Sequence, residues 1–134
     1  MIAVDTSVFI DAFRGLRTAQ VERLEAALLE EQACLFDLVL MELLQGCRDD
    51  SHADRVRGRL ASLYPTMTSN IALAVQAARN YRTLRSVGVT IRSTIDTLIA
   101  TRCIVDDLPL LFSDRDYQPF VEHLGLRDAM AELV

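Results

Sequence analysis

Short apolar runs alternate with longer amphipathic stretches along this chain. Residues 2–4 read as a short buried strand, and residues 7–14 as a first helix stopped by Gly15. Residues 19–31 carry Val21, Leu24, Ala27 and Leu28 on one helical face. A second strand is expected at residues 33–36, then a strongly apolar helix over 38–47 that ends near Gly46. A more polar helix over 53–63 leads to a short strand or connector at 64–68, which carries Pro65. Residues 70–86 form a long helix closed by the Gly88 signal, and Val89 and Ile91 suit an extended segment. Residues 95–105 are helical, residues 110–112 form another buried strand, and a short helix spans about 118–123. Gly125 then leads into a final strand or helical tail. Short apolar strands alternating with helices predict an α/β fold with a mainly parallel sheet, whose sites form at the carboxyl ends of strands.

A length of 134 residues suits a single domain, here residues 1–134, with 51% hydrophobic and 25% charged residues. No apolar run is long enough for a membrane span, so no membrane role is expected. Met1 leads into a strand without a basic leader, which predicts no secretory signal and a cytoplasmic protein. Cys34, Cys47 and Cys103 lack metal-ligand spacing and sit among apolar residues, as buried thiols do in a reducing compartment. The net charge of -5 argues against simple electrostatic attraction to nucleic acid. All 14 basic residues are Arg; the missing Lys excludes both a P-loop and a phosphoacceptor receiver domain.

Acidic residues interrupt the apolar pattern at four places. Asp5 ends the first strand, where a helix N-cap is the ordinary explanation. Glu42 is the only charge in LVLMELLQGC, on a narrow polar stripe or aimed into a cleft. Asp96, in RSTIDTLIAT, pairs with Ser93 as a capping box, although Ala100 and Cys103 turn the same face toward protein. Asp114 and Asp116 follow the last strand in LLFSDRDYQPF, where one could cap a helix and Arg115 neutralise either. Each has a local explanation, but a parallel sandwich can bring all of them to one edge. Carboxylates gathered there repel one another, and Mg²⁺ or Mn²⁺ with its preference for oxygen ligands relieves that repulsion. Such a site serves phosphodiester hydrolysis.

The ordered segments VDTSVFID, MELLQG, TIDTLIA and LLFSDRDY together resemble the PIN-domain ribonucleases, and specifically the VapC toxins of toxin–antitoxin pairs. The resemblance covers essentially the whole chain. It implies a three-layer α/β/α sandwich with four or five strands, and Mg²⁺- or Mn²⁺-dependent endoribonuclease activity. By position, Asp5, Glu42, Asp96 and Asp114 match the family's acidic quartet, and Asp116 its second terminal acid. Thr6 and Ser7 match the polar pair that supports the site. Tyr117 stands where the usual aromatic is Phe, and Asp106 and Asp107 stand where many relatives have a His. In the implied mechanism Asp5, Asp96 and Asp114 bind the principal ion and Glu42 positions or deprotonates the attacking water. Asp116 holds a second ion or the first ion's hydration shell. Capping is left to Thr6 or Ser7, which frees the Asp5 carboxylate.

RNA must still be held by an acidic protein. Arg79, Arg82 and Arg85, and the pair Arg55 and Arg59, suit a solvated, salt-bridged face better than a phosphate track. Arg115, between two candidate ligands, is the better candidate for substrate contact or local charge balance. The apolar faces of residues 38–44 and 71–78 predict a homodimer, and the resemblance adds a VapB-type antitoxin, in a hetero-oligomer with it. The alternative is a non-catalytic interaction module acting through those surfaces, which would not require every acid to be present. An acid-based phosphatase of the haloacid-dehalogenase type fits less well, because it needs a second acid two residues after Asp5 and Ser7 stands there.

Overall fold

In a computed structural model, which describes residues 1–131, twelve elements follow one another in the expected α/β order. Strand β1 (Ile2–Val4) leads to α1 (Thr6–Phe13) and α2 (Ala19–Leu29), then β2 (Ala33–Phe36) to α3 (Asp37–Gln45) and α4 (Asp50–Arg59). Strand β3 (Tyr64–Thr66) precedes α5 (Ile71–Ser86) and α6 (Thr94–Val105). After β4 (Leu110–Leu111) come a 3₁₀ turn (Arg115–Tyr117) and α7 (Gln118–Leu124).

The sheet order among the described residues is β3-β2-β1-β4, and every pairing is parallel. Ala3 is in register with Cys34 on one side and Leu110 on the other, so β1 is interior. Parallel strands covered on both faces must be apolar throughout, and β1, β2 and β4 are buried along their whole length. Helices flank the sheet in two groups. Helix α1 packs on α2 and α3, while α5 packs on α6 and α7. The result is the predicted three-layer α/β/α sandwich, with Phe36, Val39, Leu84, Ile99 and Phe120 fully enclosed in its core. No helix among the described residues is long and apolar enough to cross a membrane.

Local departures from the expected elements have identifiable causes. Helix α4 begins at Asp50, earlier than expected, because the Asp49 carboxylate accepts the His52 N–H at 2.8 Å and caps it. Val89 and Ile91 join no strand. The Val89 N–H instead closes α5 on the Leu84 carbonyl at 2.9 Å, while Gly88 takes the left-handed conformation (φ 85°) that ends the helix. In place of a fifth strand, a single parallel bridge joins Asp128 to Leu110. The remainder of the expected tail, residues 132–134, lies outside the described residues.

The α6 segment behind the sheet is held by Ile99, which is fully buried one turn after Asp96. Ile99→Ala is expected to cost about 2–5 kcal/mol by removing buried methyl groups and leaving a cavity. Urea unfolding followed by circular dichroism measures this as a lower midpoint at unchanged slope.

Candidate metal centre

At the carboxyl end of β1 the Asp5 N–H donates to the Leu111 carbonyl at 2.9 Å, so β1 and β4 stay paired up to the site. The Asp5 side chain is only 4% exposed. Its Oδ2 accepts from the Ser7 N–H at 3.1 Å and from Ser7 Oγ at 2.6 Å, and its Oδ1 accepts from the Tyr117 hydroxyl at 2.7 Å. Asp5 is therefore itself the cap of α1, contrary to the expectation that Thr6 or Ser7 would cap and leave its carboxylate free. The cause is the extended backbone at Asp5 (φ −77°, ψ 155°), which folds its side chain back over the first turn. Both hydroxyls nonetheless support the site. Ser7 Oγ also accepts the Ser113 N–H at 3.1 Å, tying β1 to the exit of β4, and Thr6 Oγ1 donates to Glu42 Oε1 at 2.9 Å.

The other acids arrive from three further elements. Glu42 lies on α3, half-buried under the hydrogen bond from Thr6. Asp96 lies in the first turn of α6, where its N–H is capped by Ser93 Oγ at 3.2 Å; its Oδ1 lies 3.2 Å from the Tyr117 hydroxyl. Asp114 caps the 3₁₀ turn by accepting the Asp116 N–H at 2.9 Å. Carboxylate oxygens of Asp96, Asp114 and Asp116 all lie within 4.8 Å of one another. Asp5 joins this triad through Tyr117, and Glu42 joins Asp5 through adjacent Thr6.

Two contacts were not foreseen from the sequence. The cation on Asp116 is Arg92, at 3.3 Å with its side chain 82% exposed, whereas the Arg115 side chain has no hydrogen bond or ion pair among the described residues. The reason is the direction of the 3₁₀ turn, which brings Asp116 toward the segment before α6 while leaving Arg115 in solvent. Tyr117, which departs from the usual Phe, has its hydroxyl between two of the acids. The available signal was its chemistry, since a Tyr at a buried aromatic position needs a hydrogen-bond partner.

The carboxylates of Asp5, Glu42, Asp96 and Asp114 are close enough to act on one another. Burial raises the Asp96 carboxyl from the ordinary 3.8 to about 6; the charge of Asp5 adds to this, the Tyr117 hydrogen bond opposes it, and Asp114 and Glu42 contribute further increases. Glu42 is also raised, first by burial and then by Asp5, against the hydrogen bond from Thr6. An all-oxygen donor set with excess negative charge fits a hard divalent cation and does not suit a soft one. The only cation seen on the triad among the described residues is the exposed Arg92, which leaves most of that charge uncompensated.

Comparison with known proteins gives this geometry its lineage. The PIN domain family model matches residues 2–122. The chain belongs to the PIN-domain family. Within that family it falls in the VapC branch. It is 30% identical over 132 residues to a VapC ribonuclease of Mycobacterium bovis and to ribonuclease VapC11 of Mycobacterium tuberculosis, covering 96% of this chain and 98% of each relative. Its fold also matches VapBC2 of Rickettsia felis bound to a promoter DNA fragment, with a TM-score of 0.73 at 21% identity over 95% of this chain and 96% of the other. DNA-bound VapBC of Salmonella typhimurium gives a TM-score of 0.69 at 18% identity over 96% and 97% of the two chains.

A pH dependence follows for this PIN domain without added metal. Asp96 binds its proton more tightly when folded than when unfolded, so its contribution to stability is complete below pH 3.8 and is lost as pH rises through about 6. In EDTA, Asp96→Asn is expected to gain thermal stability relative to wild type across that interval. Parallel melting curves at each pH test this, and a constant difference would refute it.

Proposed function

We propose that this PIN domain is a Mg²⁺- or Mn²⁺-dependent endoribonuclease toxin that hydrolyses RNA phosphodiester bonds and thereby inhibits translation. The observation that carries the reading is the cluster of Asp96, Asp114 and Asp116, to which Asp5 is linked through Tyr117 and Glu42 through Thr6 beside Asp5. Ribonuclease relatives that match over nearly the full length support it. Asp5, Asp96 and Asp114 would hold the principal ion, and Asp116 would serve a second ion or the hydration shell of the first. A divalent ion bound there would offset the carboxylates and stabilise charge developing on the phosphate. Glu42, its pKa raised by burial and its carboxylate oriented by Thr6, suits acceptance of the proton from an attacking water. Arg14, Arg48 and Arg59 line a groove whose wall includes Glu42, and they provide phosphate contacts beside the acidic centre.

On this reading the protein acts in the cytoplasm and is held silent by a VapB-type antitoxin, a partner supported by the VapBC complexes among its structural neighbours. A homodimer accounts for Ile71 and Val75, which are 84% and 61% exposed one helical turn apart on α5.

Asp5→Asn and Asp96→Asn are each expected to lower cleavage of total RNA in Mg²⁺ by at least about 100-fold, the order lost when a charge-stabilising group is removed. Circular dichroism should show the fold retained, EDTA should stop the wild type, and RNA affinity should fall as salt rises. Full activity in both variants would overturn the site assignment, and wild-type protein that cuts no RNA would favour a non-catalytic interaction module. Sedimentation equilibrium is expected to give twice the chain mass; a monomer at all concentrations would exclude the dimer.

A further inference from the structure

The Tyr117 ring is fully buried, its centroid 5.4 Å from that of Phe112 and 6.5 Å from that of Phe120. This aromatic cluster fixes the phenol oxygen with little freedom. The hydroxyl bridges carboxylates from two elements far apart in sequence, 2.7 Å from Asp5 Oδ1 and 3.2 Å from Asp96 Oδ1. A phenol has one hydrogen, and the two carboxylate oxygens share it as acceptors, the Asp5 contact being the shorter. The oxygen therefore stands between two acceptors that would otherwise repel across the gap. Ser7 already holds the other Asp5 oxygen with two hydrogen bonds, so Tyr117 is what determines the orientation of Oδ1. No other described side chain hydrogen-bonds to both acids.

We propose that Tyr117 is a positioning residue whose hydroxyl sets the orientation and spacing of Asp5 and Asp96 so that the pair can hold a divalent ion. The inference rests on the divalent-ion reading of the site and adds to it a residue outside the carboxylate set. Groups that hydrogen-bond to metal ligands tune affinity because they fix each ligand before the ion arrives. Phe at this position keeps the ring packing and loses only the bridge, so Y117F isolates the hydroxyl.

The test is Mn²⁺ binding, followed by calorimetry and by the electron paramagnetic resonance signal of free Mn²⁺, on wild type, Tyr117→Phe and Tyr117→Met. Wild type is expected to bind, and both variants to bind about 10–100-fold more weakly while their circular dichroism spectra stay native. A hydroxyl that only stabilised the fold would lower the melting temperature and leave affinity unchanged. Unchanged or tighter Mn²⁺ binding in the variants therefore overturns the positioning role and leaves the metal site standing. Wild type that binds no Mn²⁺ overturns both. If neither variant folds, the inference also fails, because a positioning role does not require the hydroxyl for folding.

Discussion

The Asp5 carboxylate, almost wholly removed from solvent at the inner end of β1, is the constraint around which the rest of the site is arranged. A buried charge without partners is expensive, and here three hydrogen bonds compensate it. Two come from Ser7 at the start of α1 and the third from Tyr117, beyond the last strand of the sheet. The strand order makes this possible. With β2 on one side of β1 and β4 on the other, the connections diverge beside Asp5 and leave a crevice at the strand ends. Asp114 enters that crevice from beyond β4 and Asp96 from α6, so the fold delivers like charges to one edge of the sheet.

Much of this arrangement was legible in the sequence, because apolar periodicity and acidic interruptions are local signals. Strands β1 and β2 fall where their unbroken apolar runs place them, and Gly88 closes α5 as expected. The acids stood out because each breaks a pattern that burial would otherwise demand. What escaped was set by backbone direction. Whether Asp5 or its neighbours capped α1 depended on a single dihedral pair, and whether Arg92 or Arg115 reached Asp116 depended on the course of a 3₁₀ turn. Neither is encoded by residue type. The bridging hydroxyl of Tyr117 needed both the turn and α6 in place before its partners could be known.

The same physics separates the acidic centre from its basic surroundings. Arginines are plentiful, yet several are engaged away from the acidic centre: Arg17 on Glu25, Arg102 on Asp106, and Arg127 on Asp107 at 3.2 Å. Burial rather than a cation governs Asp96, which is why its proton is retained so far above the usual carboxylate range. A centre built this way is electrostatically unsatisfied by its own chain, and its negative charge is concentrated while the positive charge is dispersed.

The bridge between Asp128 and Leu110 has a consequence for how the molecule can associate. The Leu110 N–H donates to the Arg127 carbonyl at 2.9 Å, and the Ala129 N–H returns to the Leu110 carbonyl at 2.9 Å. These contacts occupy the outer margin of β4. The opposite margin, β3, is three residues long and contains Pro65, which has no N–H to offer. Among the described residues, the rim at Leu110 is already paired and the rim at β3 is short and interrupted by Pro65, so strand addition from another chain has little backbone to use as a template.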